Sequence, residues 1–366
     1  MRIFHILEFN QFNTGSVHQM FQAATGLREH GHDVTVISRP DAILARRCEE
    51  SGVEFIGLRM RNQFDLGSAR ELSRVIRRQN PDVIHVHKGV AHALALAATW
   101  SRPVPAFIVN RGVSFPLDIW NRGKFRTRRV DRIVAVCEQI RQIVIASAKL
   151  PREKVIVIYA GTDVAMFDLA KCDPRAFRRE KNIPDDKFLV AQVGVRDWKG
   201  WRELIQATAG VARTHPGVHL ALIGCRPFEI PVVTDYAAQH GIGDRVSAVE
   251  YRTDMPNVFA SCDLVVDASW AGTGITGTIR EAMSMQKPVI ATDCGGNAEL
   301  VSSRDVGWLV PARDVPALAA AMAEVIADRD RAARVGRQAR EHVIRGFSKN
   351  LRILKLEQLY AQISGL

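Results

Sequence analysis

Residues 263–300, DLVVDASWAGTGITGTIREAMSMQKPVIATDCGGNAEL, hold the densest run of groups able to grip a phosphate. Within it, Gly272-Thr273-Gly274-Ile275-Thr276-Gly277-Thr278 stands between a β-branched apolar run (263–268) and a helical stretch (279–285). Glycines let backbone amides approach an anion closely, and a helix start adds unpaired N–H groups at the positive end of its dipole. Glu281 falls one turn into that helix, where a carboxylate can accept both hydroxyls of a ribose. Together these groups point to a nucleotide diphosphate. Taken alone, Glu281 reads more simply as a carboxylate that complements the helix dipole.

Arg196 and Lys199 form a second candidate pair, between the apolar run 188–194 and a helical stretch from 201. Two cations beside a helix start can clamp a pyrophosphate and offset charge on a departing phosphate. A solvated surface pair is the alternative. His85 and His87 flank the end of another strand, Arg111 follows the next one, and His18 lies near the first turn. For the histidines, strand-end packing is an equally good account. Arg122, Lys124, Arg126, Arg128, Arg129 and Arg132, with Trp120 and Phe125 interleaved, suit an anionic lipid, a charged glycan or a solvated loop and helix. The D-x-D at Asp328-Arg329-Asp330 lies between two predicted helices, so a helix cap suits it better than a metal. No metal site is expected. The six cysteines show no CxxC spacing and read as free thiols.

The elements that must carry these groups alternate. Strand 2–7, turn 10–16 and helix 17–30 lead to strand 33–37, and βα pairs continue through 155–158. The polar stretch 168–187, with Pro174 and Pro184, is the expected interdomain connection. A second series starts at 188, and helices are expected at 315–327, 331–345 and 351–363. Repeated βα units predict doubly wound parallel sheets, and 366 residues suffice for two domains. No GxGxxG occurs, which argues against a nicotinamide oxidoreductase.

The net charge of +11 is uneven: residues 1–165 hold 24 Lys+Arg against 15 Asp+Glu, a net of +9. No nucleic-acid motif accompanies that charge, so an anionic membrane surface or acidic acceptor is the expected partner. No apolar run approaches the roughly 20 residues of a membrane span. No secretory leader is apparent, so a cytoplasmic location is expected.

Glu281-Ala282-Met283, Lys287-Pro288-Val289-Ile290-Ala291-Thr292 and Gly295-Gly296-Asn297-Ala298-Glu299-Leu300-Val301 together resemble the donor-site signature of glycosyltransferase family 4. That family carries two glutamates eight positions apart. The second matches Glu281, and the first falls on Thr273. Gly194-Val195-Arg196 with Lys199-Gly200 resembles its Gly-Arg…Lys-Gly donor motif, with the Arg displaced by one and the loop shortened.

The resemblance implies an α/β GT-B fold, with two Rossmann-like domains facing a cleft. Residues 1–165 would bind acceptor, 166–350 would bind donor, and helix 351–366 would return to the first domain. It implies a retaining glycosyltransferase that moves a sugar from a nucleotide diphosphate sugar, UDP being commonest among relatives. The acceptor would be a glycan or lipid-linked molecule of cell-surface polysaccharide or lipopolysaccharide synthesis, made at the inner face of the membrane. No cofactor, metal or nucleic acid is implied. Donor contacts would come from Gly15, Gly194, Arg196, Lys199, Thr273, Gly274, Thr276, Gly277, Thr278 and Glu281. Catalysis would fall to Arg196, Lys199 and Arg111, the last at a position where many members have His. Ser16, His18, His85 and His87 would face the acceptor. Two rivals remain open: a sugar-nucleotide 2-epimerase, which would release UDP without an acceptor, and a non-catalytic nucleotide-sugar binder, suggested by Thr273 and Arg111.

Overall fold

The computed structural model describes residues 1–9, 14–272 and 274–366. The chain forms two compact units, Met1–Gly161 with Lys349–Leu366, and Thr162–Ser348. In the first, strands and helices alternate: β1 (Arg2–Leu7), α1 (Gly15–Glu29), β2 (Asp33–Ser38), α2 (Ala42–Glu50), β3 (Glu54–Gly57), α3 (Leu66–Gln79), β4 (Val83–Val86), α4 (Gly89–Ala98), β5 (Ala106–Arg111), α5 (Ile119–Arg126), β6 (Arg132–Ala135), α6 (Glu138–Ala148) and β7 (Val155–Val157). Strands such as Ile3–Leu7 and Val83–Val86 are buried at every residue, as a parallel sheet covered on both faces requires. Their order is β3-β2-β1-β4-β5-β6-β7, with every pairing parallel.

The second unit contains α7 (Ala176–Glu180), β8 (Phe188–Val193), α8 (Trp201–Ala212), β9 (Val218–Cys225), α9 (Glu229–Gln239), β10 (Val246–Glu250), α10 (Met255–Ser261), β11 (Leu264–Asp267), α11 (Gly277–Ser284), β12 (Val289–Thr292), α12 (Asn297–Leu300), β13 (Trp308–Val310), α13 (Val315–Ala327) and α14 (Arg329–Gly346). Its parallel sheet runs β10-β9-β8-β11-β12-β13. This is the doubly wound α/β architecture that the βα alternation predicts.

The last helix, α15 (Lys349–Ser364), belongs to the first unit. Ile353, Leu356, Leu359 and Tyr360 enter that unit's core. Gly26 of α1 makes room for them: a Cβ there would lie 1.9 Å from Ile353 Cδ1. Polar contacts fix the docking. Glu357 meets His30 at 3.0 Å and His32 at 2.7 Å, and Arg352 donates to the Gln19 carbonyl at 2.8 Å.

The short elements α7, α12 and β13 have no counterpart in the sequence reading, because three to five residues carry no measurable period. Helix α5 is also clearer than its sequence suggests. Asp118 caps it by accepting from the Asn121 amide at 2.8 Å, although only Phe125 of its eight residues is buried.

Candidate functional site

Open α/β sheets bind ligands at the carboxyl edge where strand order reverses. In the second unit that point lies between β8 and β11, and the glycine loop and the Arg196–Lys199 turn both start there. Gly194 leaves β8 at φ +94°, a conformation that favours glycine, and packs under the Lys199 side chain. Asp197–Lys199 form a 3-10 turn, pinned by the Trp270 indole donating to the Asp197 carbonyl at 2.9 Å. Buried Gln192 fastens the same turn, donating to the Lys199 carbonyl at 3.0 Å and accepting from the Ala268 amide at 2.9 Å.

Lys199 and Arg196 do not stand as a pair of free cations. The Lys199 ammonium lies 3.2 Å from Asp267 Oδ1. Arg196 reaches both oxygens of Glu229, at 2.9 and 3.2 Å, a carboxylate that Arg226 also grips. Each expected clamp residue therefore has its own carboxylate, and only Lys199 is tied to the strand that opens the glycine loop.

Thr276 precedes α11, yet its hydroxyl does not cap the helix; it donates to Asp267 Oδ2 at 2.9 Å. The first-turn amides, beginning at Gly277 and Thr278, therefore have no side-chain cap, the arrangement that receives an anion. Glu281 lies one turn in; its backbone carbonyl accepts from the Met285 amide at 3.1 Å, while its carboxylate has no hydrogen-bond partner among the described residues. Burial pushes its carboxyl pKa up, and the neighbouring Arg280 opposes that rise. Gly274 accepts from the Gly296 amide at 3.1 Å, which joins the glycine loop to the Gly295-Gly296-Asn297 turn. Thr273 lies outside the described residues.

In the first unit strand order reverses between β1 and β4. Glu8, just past β1, accepts from the Val90 and Ala91 amides at the start of α4, at 3.2 and 3.1 Å. Lys88 lies 4.0 Å over the Phe9 ring, and Lys124 of α5 donates to the Gly89 carbonyl at 3.1 Å. Arg111 donates to the Phe115 carbonyl, while its buried Nε has no partner among the described residues. Burial lowers the pKa of Lys88, Lys124 and Arg111, with Glu8 or Asp118 offsetting part of the effect. Gly15 and Ser16 begin α1, Gly15 exposed and Ser16 partly so, and His18 is half-buried one turn on; the preceding residues 10–13 of the expected turn lie outside the described region.

His85 and His87, expected to face the acceptor, sit in strand-end packing positions, the other account the sequence left open. Both are buried with His5 of β1: His5 Nδ1 lies 2.8 Å from His87 Nε2, and His85 Nδ1 lies 2.5 Å from the Tyr360 hydroxyl. One nitrogen from each of the three rings falls within 4.8 Å of the others, a grouping able to gather round a metal ion. Two features oppose a cation there. The 2.8 Å contact is a ring-to-ring hydrogen bond that occupies a lone pair a metal would need, and the buried Arg352 guanidinium already presses positive charge on all three rings.

Most of the basic cluster is engaged. Arg129 fastens the end of α4 through the carbonyls of Leu96, Thr99 and Trp100, and Arg122, Lys124 and Arg132 also donate to backbone carbonyls. Arg126 and Arg128 remain exposed. Asp328 of the D-x-D caps α14 by accepting from the Arg331 amide at 2.8 Å, and all six cysteines are free thiols. The sequence reading missed Asp267, Gln192, Glu8 and Lys88. For Asp267 and Glu8 a signal existed, an acid closing an otherwise apolar strand run. Asn297 belonged to the quoted signature but had no assigned role.

Two doubly wound units, one with an open helix start beside a cation and a carboxylate, define a GT-B glycosyltransferase. The family model for glycosyltransferase family 4 matches residues 14–166, and the one for glycosyl transferases group 1 matches residues 187–328. The chain belongs to glycosyltransferase family 4 and is a glycosyltransferase enzyme. It is 22% identical over 313 residues to the UDP-Gal:alpha-D-GlcNAc-diphosphoundecaprenol alpha-1,3-galactosyltransferase of Escherichia coli, covering 81% of this chain and 79% of that one. Its fold is similar to a glycosyltransferase from Rickettsia africae (TM-score 0.90, 21% identity, 99% and 98% of the two chains). It is also similar to Anabaena Alr3699/HepE in complex with UDP (TM-score 0.87, 20% identity, 99% and 100%).

Proposed function

We propose that the chain transfers a sugar, with retention, from a UDP-sugar to a glycan or lipid-linked acceptor of a cell-surface polysaccharide or lipopolysaccharide. The observation that carries the donor half is the uncapped start of α11, with Glu281 one turn in, its carboxylate without a hydrogen bond among the described residues, and Lys199 tied to the same Asp267 as Thr276. The helix start receives the diphosphate and Glu281 the ribose hydroxyls. UDP is chosen because it is bound in one structural relative and named as the donor nucleotide of one sequence relative. The E. coli relative's diphosphoundecaprenol acceptor supports a lipid-linked acceptor here.

The loop 272–278 contains no carboxylate to act as a nucleophile. Retention then follows a front-face course. The acceptor oxygen bonds to the anomeric carbon on the side from which the diphosphate leaves, and a phosphate oxygen takes the acceptor proton. Lys199 and the α11 amides stabilise the departing charge, with Arg196 near the turn and Arg111 on the acceptor side.

Calorimetry with UDP, GDP and ADP tests the donor: UDP should bind tightest, and Glu281→Ala should weaken it by about 1–3 kcal/mol, the cost of losing a charged acceptor. Lys199→Ala should lower turnover more than donor affinity. Unchanged binding and kinetics in both variants would remove these residues from the site. The reaction also runs without a metal cofactor, so turnover should survive EDTA; activity lost on chelation and restored by magnesium or manganese would refute this.

No helix among the described residues is long and apolar enough to cross a membrane. Peripheral contact belongs instead to the segment around α5, where Phe115, Ile119 and Trp120 are 60%, 72% and 91% exposed beside Arg126 and Arg128. Apolar side chains flanked by cations suit an anionic lipid surface, each basic residue adding about 1 kcal/mol. Vesicles rich in anionic lipid should sediment with the chain at low salt. Arg126→Gln with Arg128→Gln, or Trp120→Ser, should reduce that binding. Equal binding to neutral vesicles, or none at low salt, would reject it.

A further inference from the structure

Asp267 closes β11 at 1% exposure, and four side-chain donors converge on its two oxygens. Oδ1 receives the Lys199 ammonium at 3.2 Å and the Ser269 hydroxyl at 2.8 Å, while Oδ2 receives the Thr276 hydroxyl at 2.9 Å and the Asn297 amide at 3.2 Å. A carboxylate has about four acceptor sites, so this one is filled. Asn297 turns back to accept from the Thr276 amide at 3.1 Å and donates to the Thr292 carbonyl at 3.2 Å. One buried group thus joins the turn after β8, the start of α11 and the turn after β12.

We propose that Asp267 is the positioning residue of the donor site, setting the Lys199 ammonium and the open start of α11 against the diphosphate. This rests on the donor reading above. Asp267 touches neither nucleotide nor sugar in this role; it acts through Lys199 and Thr276. Thr276 is diverted from capping its own helix because its hydroxyl serves Asp267, and that diversion leaves the first-turn amides to the ligand. Lys199 is held on the same carboxylate as Thr276, the residue before α11, so ligand binding need not order a flexible side chain.

The proposal has a sign that charge alone would reverse. Removing a carboxylate beside a diphosphate site should tighten an anion if Asp267 acted only through its charge. Positioning predicts the opposite. With UDP as the probe on the full chain, Asp267→Asn should raise the dissociation constant about tenfold or more. The isosteric Thr276→Val, which keeps the buried charge, should raise it in the same direction. In a Lys199→Met background, Asp267→Asn should have a clearly smaller effect, because part of what it positions is gone. Thermal melting of each variant identifies those that fold, and Thr276→Val carries the test if Asp267→Asn does not.

Equal or tighter UDP binding by Asp267→Asn would overturn the proposal, as would effects of Asp267→Asn and Lys199→Met that simply multiply. Failure of the wild-type chain to bind UDP, GDP or ADP would overturn the donor reading and the proposal together. Wild-type binding with unaffected variants would overturn the positioning role alone.

Discussion

Replacing Gly200 with alanine should destabilise the second unit by about 2–5 kcal/mol and weaken UDP binding at least tenfold. Gly200 sits at φ +66°, and a Cβ there would lie 2.0 Å from the Ala268 carbonyl oxygen and 2.8 Å from its carbon. A left-handed conformation costs a non-glycine residue about 1–2 kcal/mol, and forced overpacking adds about 1–3. Ala268 cannot yield easily, since it follows β11 and its amide is held by Gln192 at 2.9 Å. The Asp197–Lys199 turn must move instead, and Lys199 moves with it, away from Asp267. The nearby Gly210→Ala is the control. Gly210 lies inside α8, where a Cβ would meet nothing closer than 3.8 Å. That variant should match or exceed wild-type stability by up to about 1 kcal/mol, the ordinary helix preference for alanine. Urea unfolding with UDP calorimetry on both variants checks the pair. Wild-type stability in Gly200→Ala would show that the close approach to Ala268 is not a constraint.

The fold class was legible because its signal is long-range and repeated. Apolar strand runs alternate with helical stretches through the chain, and both sheets follow from that alternation. Glycines at 194 and 277 and the carboxylate at 281 could be placed because backbone approach and helix starts leave marks on residue type. Side-chain pairing left fewer marks. Arg196 and Lys199 read as one clamp, yet each went to a different acid: Glu229 is 33 positions from Arg196 and Asp267 is 68 from Lys199. No local pattern states such a partner. The basic run from Arg122 to Arg132 read as one patch for the same reason. Arg129 in fact closes the end of α4, and only the folded neighbourhood separates it from exposed Arg126 and Arg128. His85 lies on β4 and His87 just past its end, so periodicity gave their spacing but not the Tyr360 hydroxyl supplied 275 residues later.

Those buried histidines lead to the second large effect, loss of stability of the first unit in mild acid. Burial, with Arg352 nearby, lowers the His5 pKa to about 3 and holds His85 and His87 well below the ordinary 6.5, the rings also opposing one another's charge. His92 of α4, packed edge-on to Phe125 at 4.9 Å, is lowered to about 3 by burial and by Lys124. In each case the folded state favours the neutral ring, and the unfolded chain takes up the proton first. The contribution is therefore complete above pH 6.5 and is lost as pH falls from 6.5 toward 3. At pH 5 a single such histidine forfeits about 2 kcal/mol. His5 and His92 together forfeit about 4 kcal/mol, a large part of a domain's stability of about 5–15 kcal/mol, and His85 and His87 act in the same direction. Glu357, held below the usual carboxylate range by His30 and His32, keeps its charge through most of this window, so the outer contact of α15 outlasts the buried one. Hydrogen exchange at pH 7.5 and pH 5 should show protection falling first in β1, β4 and α15. His92→Phe, which removes one titrating ring from an aromatic pocket, should flatten the fall in stability between those pH values by about 2 kcal/mol. Protection in β1 and β4 that is equal at both pH values would show that the rings are not held neutral by burial.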